Sequence, residues 1–469
     1  MPHDNINKFR DELATVTSTG KRKWVYPKKP SGKYYTARTI VSIFLLIMLF
    51  ITPFIKLNGH PFILLNILER NFILFGIPFG PHDFHLFGLA MITLIVFIFL
   101  FTAVYGRLFC GWFCPQTVFL EMVFRKIEYW IEGDANKQKS LDNQKWNKKK
   151  LLKKTTKHVI FYFIAFVISN IFLAYIIGID QLTKIITDSP SEHTTGLTIM
   201  VIFSFLFYLV FSRFREQACT MVCPYGRLQG VLLDQNSIVI AYDYIRGEER
   251  GKIVRNSPRN NGDCIDCKLC VDVCPTGIDI RNGTQLECVN CTACIDACDT
   301  VMEKVKFPKG LIRYASKNEI TSGKRNIFTP RAIGYTVLLV LLISILSSLL
   351  INRTDVELSI LRTAGLLYQE QPDNKISNLY DMKIINKTFN SFSTRLELKG
   401  INGEIKVIGS NLKIKPQEII EAKFFVILDK KDLTKLNTQI KIAVVSNNKV
   451  IDIINTSFLG KIENKELNN

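Results

Sequence analysis

Cysteine is the residue whose spacing in this chain does most to suggest chemistry. All twelve cysteines lie between Cys110 and Cys298, and the last 171 residues (469 − 298) contain none. A disulfide framework would staple the whole chain, so this clustering points to a metal or redox core. Between 264 and 298 the order is Cys264-x2-Cys267-x2-Cys270-x3-Cys274-Pro275 and then Cys288-x2-Cys291-x2-Cys294-x3-Cys298, with thirteen residues separating Cys274 from Cys288. Structural zinc takes two Cys-x2-Cys knuckles well apart in sequence and has no use for three thiolates at successive three-residue steps. A four-iron cubane does. Three of its irons meet one loop, and the fourth ligand comes from elsewhere.

A run closing on Cys-Pro follows the bacterial ferredoxin pattern, in which the fourth cysteine serves the other cluster. The spacing therefore assigns one [4Fe–4S] cluster to Cys264, Cys267, Cys270 and Cys298. A second goes to Cys288, Cys291, Cys294 and Cys274. The second run ends in Cys298-Asp299 instead of Cys-Pro; the proline shapes that turn and does not ligate. Two clusters in one small module read as a one-electron relay. No G-x-G-x-x-G follows a strand, so no dinucleotide site is visible.

The other four cysteines form matching pairs, Cys110-Gly-Trp-Phe-Cys114-Pro115 and Cys219-Thr-Met-Val-Cys223-Pro224. Each pair follows an apolar span and precedes an amphipathic stretch, Gln116–Ile131 and Tyr225–Leu233. The unit thus occurs twice, 109 residues apart (219 − 110). A spacing of four puts both sulfurs on one helix face. A helix restarting at Pro115 or Pro224 instead puts Cys114 or Cys223 at its N-terminus, where the macrodipole favours thiolate. Either geometry gives a redox or metal-binding pair, and soft thiolates suit Cu(I). The competing reading is packed, inert cysteines or disulfide pairs. His60, His82 and His85 share a loop with Arg70 and are secondary candidates for a metal or quinone site, and Met221 for a soft ligand. Interface polarity and packing are the ordinary roles of such residues.

Five apolar segments must position these groups: Thr39–Ile55, Phe84–Tyr105, His158–Gly178, Gly196–Phe211 and Ala332–Ile351. Each approaches the ~20 residues that span a bilayer. Hydrophobic residues make up 48% of the chain, with 33 Phe, which argues against a soluble cytosolic enzyme and against disorder. Pro53 sits where the first span can stop. That span reads as a signal anchor, since 38 residues precede it and no small-x-small site follows.

The basic residues fix a sidedness. Lys8, Arg10, Lys21, Arg22, Lys23, Lys28, Lys29, Lys33 and Arg38 precede the first span, and Arg125, Lys126 and a Lys-rich run at 137–157 follow the second. The 56–83 and 179–195 loops hold only Lys56, Arg70 and Lys184. The N-terminus, the 106–157 loop and residues 212–331 are therefore expected in the cytoplasm, and the tail after Ile351 outside. The net charge of +19 is explained by span flanks, so nucleic acid is not an expected partner. The 137–157 lysines are expected as a solvated stretch near anionic headgroups.

The tail alternates with period two over Ser393–Leu398, Glu404–Ile408, Ala422–Leu428, Gln439–Val445 and Val450–Ile454. Breaks fall at Gly400, Asn402-Gly403, Asn411, Asp429–Asp432 and Asn447-Asn448. That pattern predicts an antiparallel β-sandwich.

The strings CGWFCPQTVFLE, ACTMVCPYGRLQGVLLD, AYDYIRGEERGK and CVDVCPTGIDIRNGTQLECVNCTACIDACDTVM, with this tail, resemble the cytochrome c oxidase accessory proteins (CcoG/FixG/RdxA-like). The resemblance implies a multi-pass polyferredoxin of the bacterial inner membrane, needed to mature a cbb3-type oxidase by reducing Cu(II) to Cu(I). By it, the eight ferredoxin cysteines carry over as ligands of two [4Fe–4S] clusters. Cys110, Cys114, Cys219 and Cys223 carry over as candidate copper or electron sites. The expected layout is a basic segment over 1–38, a membrane domain with four helices over 39–239, a ferredoxin domain over 240–310, a linker over 311–331, a fifth transmembrane helix over 332–352 and a periplasmic Ig-like β-sandwich over 353–469. Expected partners are the lipid bilayer, oxidase assembly factors or a copper transporter, an unidentified electron donor, and a second copy of the chain. Two other functions stay open: an assembly scaffold or copper carrier with structural clusters, and a quinol-oxidising electron-transfer subunit.

Overall fold

Among the described residues, five helices are long and apolar enough to cross a bilayer: Lys33–Phe54, Phe84–Tyr105, Lys148–Ile177, Thr194–Phe214 and Pro330–Ile351. A third or less of each apolar window is buried against protein, as suits helices whose solvent is lipid. The computed structural model describes residues 14–460 except 18, 68–70, 254–260, 364, 366, 410–412, 434 and 447–448. Lys8, Arg10, Arg70, Asn411, Asn447, Asn448 and the side chain of His82 lie outside the described residues.

The first span ends as expected, with Pro53 inside a closing 3-10 turn, Thr52–Phe54. The third starts ten residues before the expected His158, and the lysine run corrects the sequence reading. Asn147 caps the helix by accepting from Lys150 N at 2.7 Å, and Lys150 Nζ donates to the carbonyls of Asp142 and Gln144. Lys154 pairs with Glu132 and Asp142, and Lys157 with Glu128 and Glu132. The C-terminal half of the run is thus folded into helix, with Lys154 and Lys157 ion-paired, and what looked like headgroup-facing charge is partly internal.

The chain divides into two compact units, residues 1–64 with 87–346, and 65–86 with 347–469. In the first, the helices pack through aromatic rings. Phe124 stacks on Phe211 at 4.7 Å and meets Phe161 edge-on at 4.9 Å. The Gln116–Ile131 stretch has a π-helical segment, Val118–Phe124, that buries Val118, Phe119, Leu120, Met122 and Phe124, so it is a core element more than an amphipathic one.

The second unit is the β-sandwich. One antiparallel sheet runs Gly403–Ile408, Ile419–Asp429, Lys375–Asn386, Val356–Arg362, and the other Arg395–Lys399, Asn437–Ser446, Lys449–Leu459. Tyr380 and Phe424 face each other across strands, stack at 5.4 Å and are fully buried. The strand Lys375–Asn386 escaped the sequence reading because it buries polar residues. Asn378 donates to Leu459 O, and Asn386 to Asn390 O and Lys415 O. Residues 65–86 belong here as well. A hairpin, Asn71–Leu74 with Ile77–Phe79, leads to Asp83, which is buried between Arg353 Nη2 at 2.9 Å and Lys387 Nζ at 2.8 Å.

Candidate functional site

The ferredoxin segment wraps backbone around two cavities. Asp266 and Lys268 beside Cys267, and Asn290 and Thr292 beside Cys291, take left-handed φ of 53°, 59°, 52° and 67°. The two loops therefore repeat each other in conformation as they do in sequence, each curling tightly before a helix: Leu269–Asp272 in the first half and Ala293–Lys304 in the second. Asp266 is further held by Arg281, which also pairs with Asp279. One cavity is lined by Cys264, Cys267, Cys270 and Cys298. The other is lined by Cys274, Cys288, Cys291 and Cys294, and Cys270 lines it too. Cys294 and Cys298, one turn apart on the same helix, thus line different cavities.

These donor sets suit cubanes better than single ions. A tetrahedral zinc with ~2.3 Å bonds brings its sulfurs to about 3.8 Å of one another. No three of the twelve thiols have sulfurs all within 4.8 Å; among the described residues only Asp188, Glu192 and His193, a surface group, meet that criterion.

The CxxxCP motifs adjoin the second cavity. Cys110 lies in one apolar cluster with Val273, Val289 and Cys291. Gly111 presses so closely on the Cys288–Cys291 loop that a Cβ there would lie 2.5 Å from the carbonyl oxygens of Val289 and Asn290. Arg38, only 4% exposed, donates to Gly111 O at 3.0 Å and to Cys291 O at 2.9 Å, joining motif and loop. Asp296 accepts from the backbone N–H groups of Tyr34 and Tyr35, so an acid of the ferredoxin helix caps the first span. Arg107 donates to Leu286 O, and Arg125 to Pro275 O.

The helix restarts at Pro115 and at Pro224, which puts Cys114 and Cys223 at N-cap positions. Cys110 lies in the short helix Leu108–Trp112 and Cys219 in the π turn Ala218–Val222. Burial pushes the Cys110 thiol up to about 11 against the pull of Arg107. It pushes Cys219 up to about 12, helped by Cys114, Cys110 and Cys223. Burial thus disfavours free thiolate at Cys110 and Cys219, and a bound cationic group would have to stabilise them in that form. The Pro224–Leu232 helix also differs from expectation. It buries Gly226, Gln229 and Leu232 and leaves Leu228 and Val231 exposed. Met221 is exposed, and neither His60 nor His85 lines a cysteine cavity.

A buried ionic network stands behind the motifs. Arg215 grips Glu128 with both terminal nitrogens, at 2.6 and 2.9 Å, and Arg125 and Arg22 meet Glu216. Burial alone would raise the Glu128 carboxyl, but Arg215, Lys157 and Arg125 outweigh it and hold it near about 2. Sequence reasoning missed Arg107, Arg215, Gln229 and Asp296. It counted Arg38 and Arg125 only as topological charges, and no signal distinguishes a buried arginine at a span end from an exposed one.

Protein RdxB of Cereibacter sphaeroides is 33% identical over 398 residues, covering 80% of this chain and 82% of RdxB. The chain belongs to the RdxA/RdxB/FixG family. The nitrogen fixation protein FixG of Rhizobium meliloti is 30% identical over 466 residues, covering 87% of each chain. Within this RdxA/RdxB/FixG chain, the 4Fe-4S dicluster domain family matches residues 214–317 and a 4Fe-4S binding domain family matches 87–137. The family described as IG-like fold at C-terminal of FixG matches 346–461. A FixG-related protein of Vibrio parahaemolyticus, of known crystal structure, is 22% identical over 24% of this chain and all of its own, with a TM-score of 0.21. Membership of the RdxA/RdxB/FixG family makes this a membrane-associated iron–sulfur redox protein.

Proposed function

We propose that this chain carries electrons from a cytoplasmic one-electron donor to Cu(II) at the membrane edge, releasing Cu(I) for maturation of a cbb3-type oxidase. The observation that carries this reading is the apposition of Cys110 and Gly111 to the Cys288–Cys291 loop, fastened by Arg38. Cys264, Cys267, Cys270 and Cys298 hold one [4Fe–4S] cluster, and Cys274, Cys288, Cys291 and Cys294 the other. When bound, these groups supply reversible one-electron transfer. The protein's own contribution is positional. Val273, Val289, Ala293 and Ala297 keep water out between the thiol sets, and Arg38 and Arg107 hold the membrane-edge motif against the ferredoxin loops. Each Cu(II) takes one electron and leaves as Cu(I), which thiolate and thioether ligands prefer. The FixG tail family's description goes on to name an oxidoreductase, which supports the catalytic reading over a scaffold.

The sidedness of the reading comes from charge: the N-terminal segment, residues 106–157 and 212–331 are cytoplasmic, and the sandwich is periplasmic. A reporter active only outside the cytoplasm should work when fused after Asn402 and be silent in the 137–150 loop; the reverse would overturn the placement. The reaction is tested with Cys291→Ser in anaerobic full-length protein. Cu(II) reduction should be lost while copper binding is spared. Unimpaired reduction would favour the scaffold or copper-carrier reading.

A further inference from the structure

We propose that Cys110, Cys114, Cys219 and Cys223 together hold a third [4Fe–4S] cluster, so that the CxxxCP motifs form one four-thiol site drawn from both halves of the membrane region. The inference rests on the two-cluster reading of the ferredoxin segment and extends it.

Ligand arithmetic is the first argument. The eight cysteines from Cys264 to Cys298 satisfy two cubanes. The separate 4Fe-4S match over 87–137 contains only Cys110 and Cys114, and an all-cysteine cubane takes four thiolates. Two ligands must come from outside that stretch. Cys219 and Cys223 are the cysteines left over.

Geometry is the second argument. The Cys110 thiol donates to Gln229 Oε1 at 3.1 Å, and Arg107 Nε donates to the same oxygen at 3.0 Å. Gln229 lies on the helix that Cys223 caps, so the first cysteine of one motif is fixed to the helix of the other. Phe109 meets Tyr225 edge-on at 6.1 Å. Gly226 lets the two motifs pack closely: a Cβ there would lie 2.8 Å from both Cys219 O and Arg107 Nη2, and 3.8 Å from Cys223 Cβ.

The third argument concerns width. No three of the four sulfurs lie all within 4.8 Å of one another. One copper or zinc ion bound by three or four thiolates draws them closer than that. A cubane holds them farther apart, because each sulfur binds its own iron. The ferredoxin quartets, whose cavities match the ferredoxin ligand pattern, share this width. Copper is then a substrate that meets the site and is not its resident metal.

The test uses the full chain, purified anaerobically in detergent, with iron, acid-labile sulfide, copper and zinc measured on the same sample. About twelve irons and twelve sulfides per chain are expected. Replacing Cys114 and Cys223 together by Ala, or Cys219 alone, should remove about a third of the iron and leave the EPR signals of the ferredoxin clusters in place. A wild-type content of about eight irons, unchanged by these substitutions, would overturn the third cluster while leaving the two-cluster reading intact. Iron well below eight with zinc in its place would overturn the reading beneath it. The wild-type count decides even if a variant fails to fold.

Discussion

Replacing Cys298 by Ser should perturb the cluster of Cys264, Cys267 and Cys270, not that of its nearer sequence neighbours Cys288, Cys291 and Cys294. The protein should lose up to about four irons, and the reduced-state EPR signal of one ferredoxin cluster should change or vanish. The reason lies in the helix Ala293–Lys304, which carries Cys294 into one cavity and Cys298 into the other. The same exchange places Cys274 with the second set. Electron delivery should collapse with the cluster, since the relay loses a member. If only the signal belonging to the 288–294 set changed, the crossed ligand assignment would be wrong.

Arg215→Met should be among the most destabilising substitutions in the membrane unit. Arg215 is buried and bidentate on Glu128, which has almost no exposure, and it lies 3.6 Å from Glu216. Removing it breaks a buried bidentate pair and leaves Glu128 with only the longer contact to Lys157 at 3.5 Å, and breaking such a buried pair typically costs about 3–5 kcal/mol. Thermal unfolding in detergent, followed by circular dichroism, should show a markedly lower transition temperature. A transition within a degree or two of wild type would mean that the network is dispensable. Glu128 adds a pH signature. Its pKa is depressed in the fold from 4.5 to about 2, so its stabilisation is complete above the unfolded value and is lost as pH falls from about 4.5 through about 2.

The iron–sulfur character was legible in the sequence because ligation imposes spacing, and spacing survives without coordinates. The spans were legible because a bilayer demands length and apolarity. What escaped depends on contacts between distant residues. Arg38 and Arg125 read as topological charges, yet they reach Gly111, Cys291 and Pro275 across the fold. Lys150, Lys154 and Lys157 read as a solvated run because their partners Asp142, Glu132 and Glu128 lie outside the helix that carries the lysines. The spacing of each CxxxCP pair left two helix geometries open, and the structure takes the one in which the proline restarts the helix. In the tail, the strand Lys375–Asn386 hid behind Ser377, Asn378 and Asn386, polar residues that point inward and are hydrogen-bonded. The packing of residues 65–86 with the sandwich rests on Asp83 meeting Arg353 and Lys387, a pairing that no local pattern announces.

In the proposed function, electrons held by the ferredoxin cysteines leave through the membrane-edge thiols. The most direct test of this route mixes the reduced, anaerobic full chain with chelated Cu(II) and follows, in one sample, the loss of reduced-cluster EPR signal and the appearance of Cu(I). The two should proceed together in the wild type, one Cu(I) for each cluster spin lost, and changing Cys114 and Cys223 should stall both with the ferredoxin signals still reduced. Equal rates in the two proteins would contradict this route.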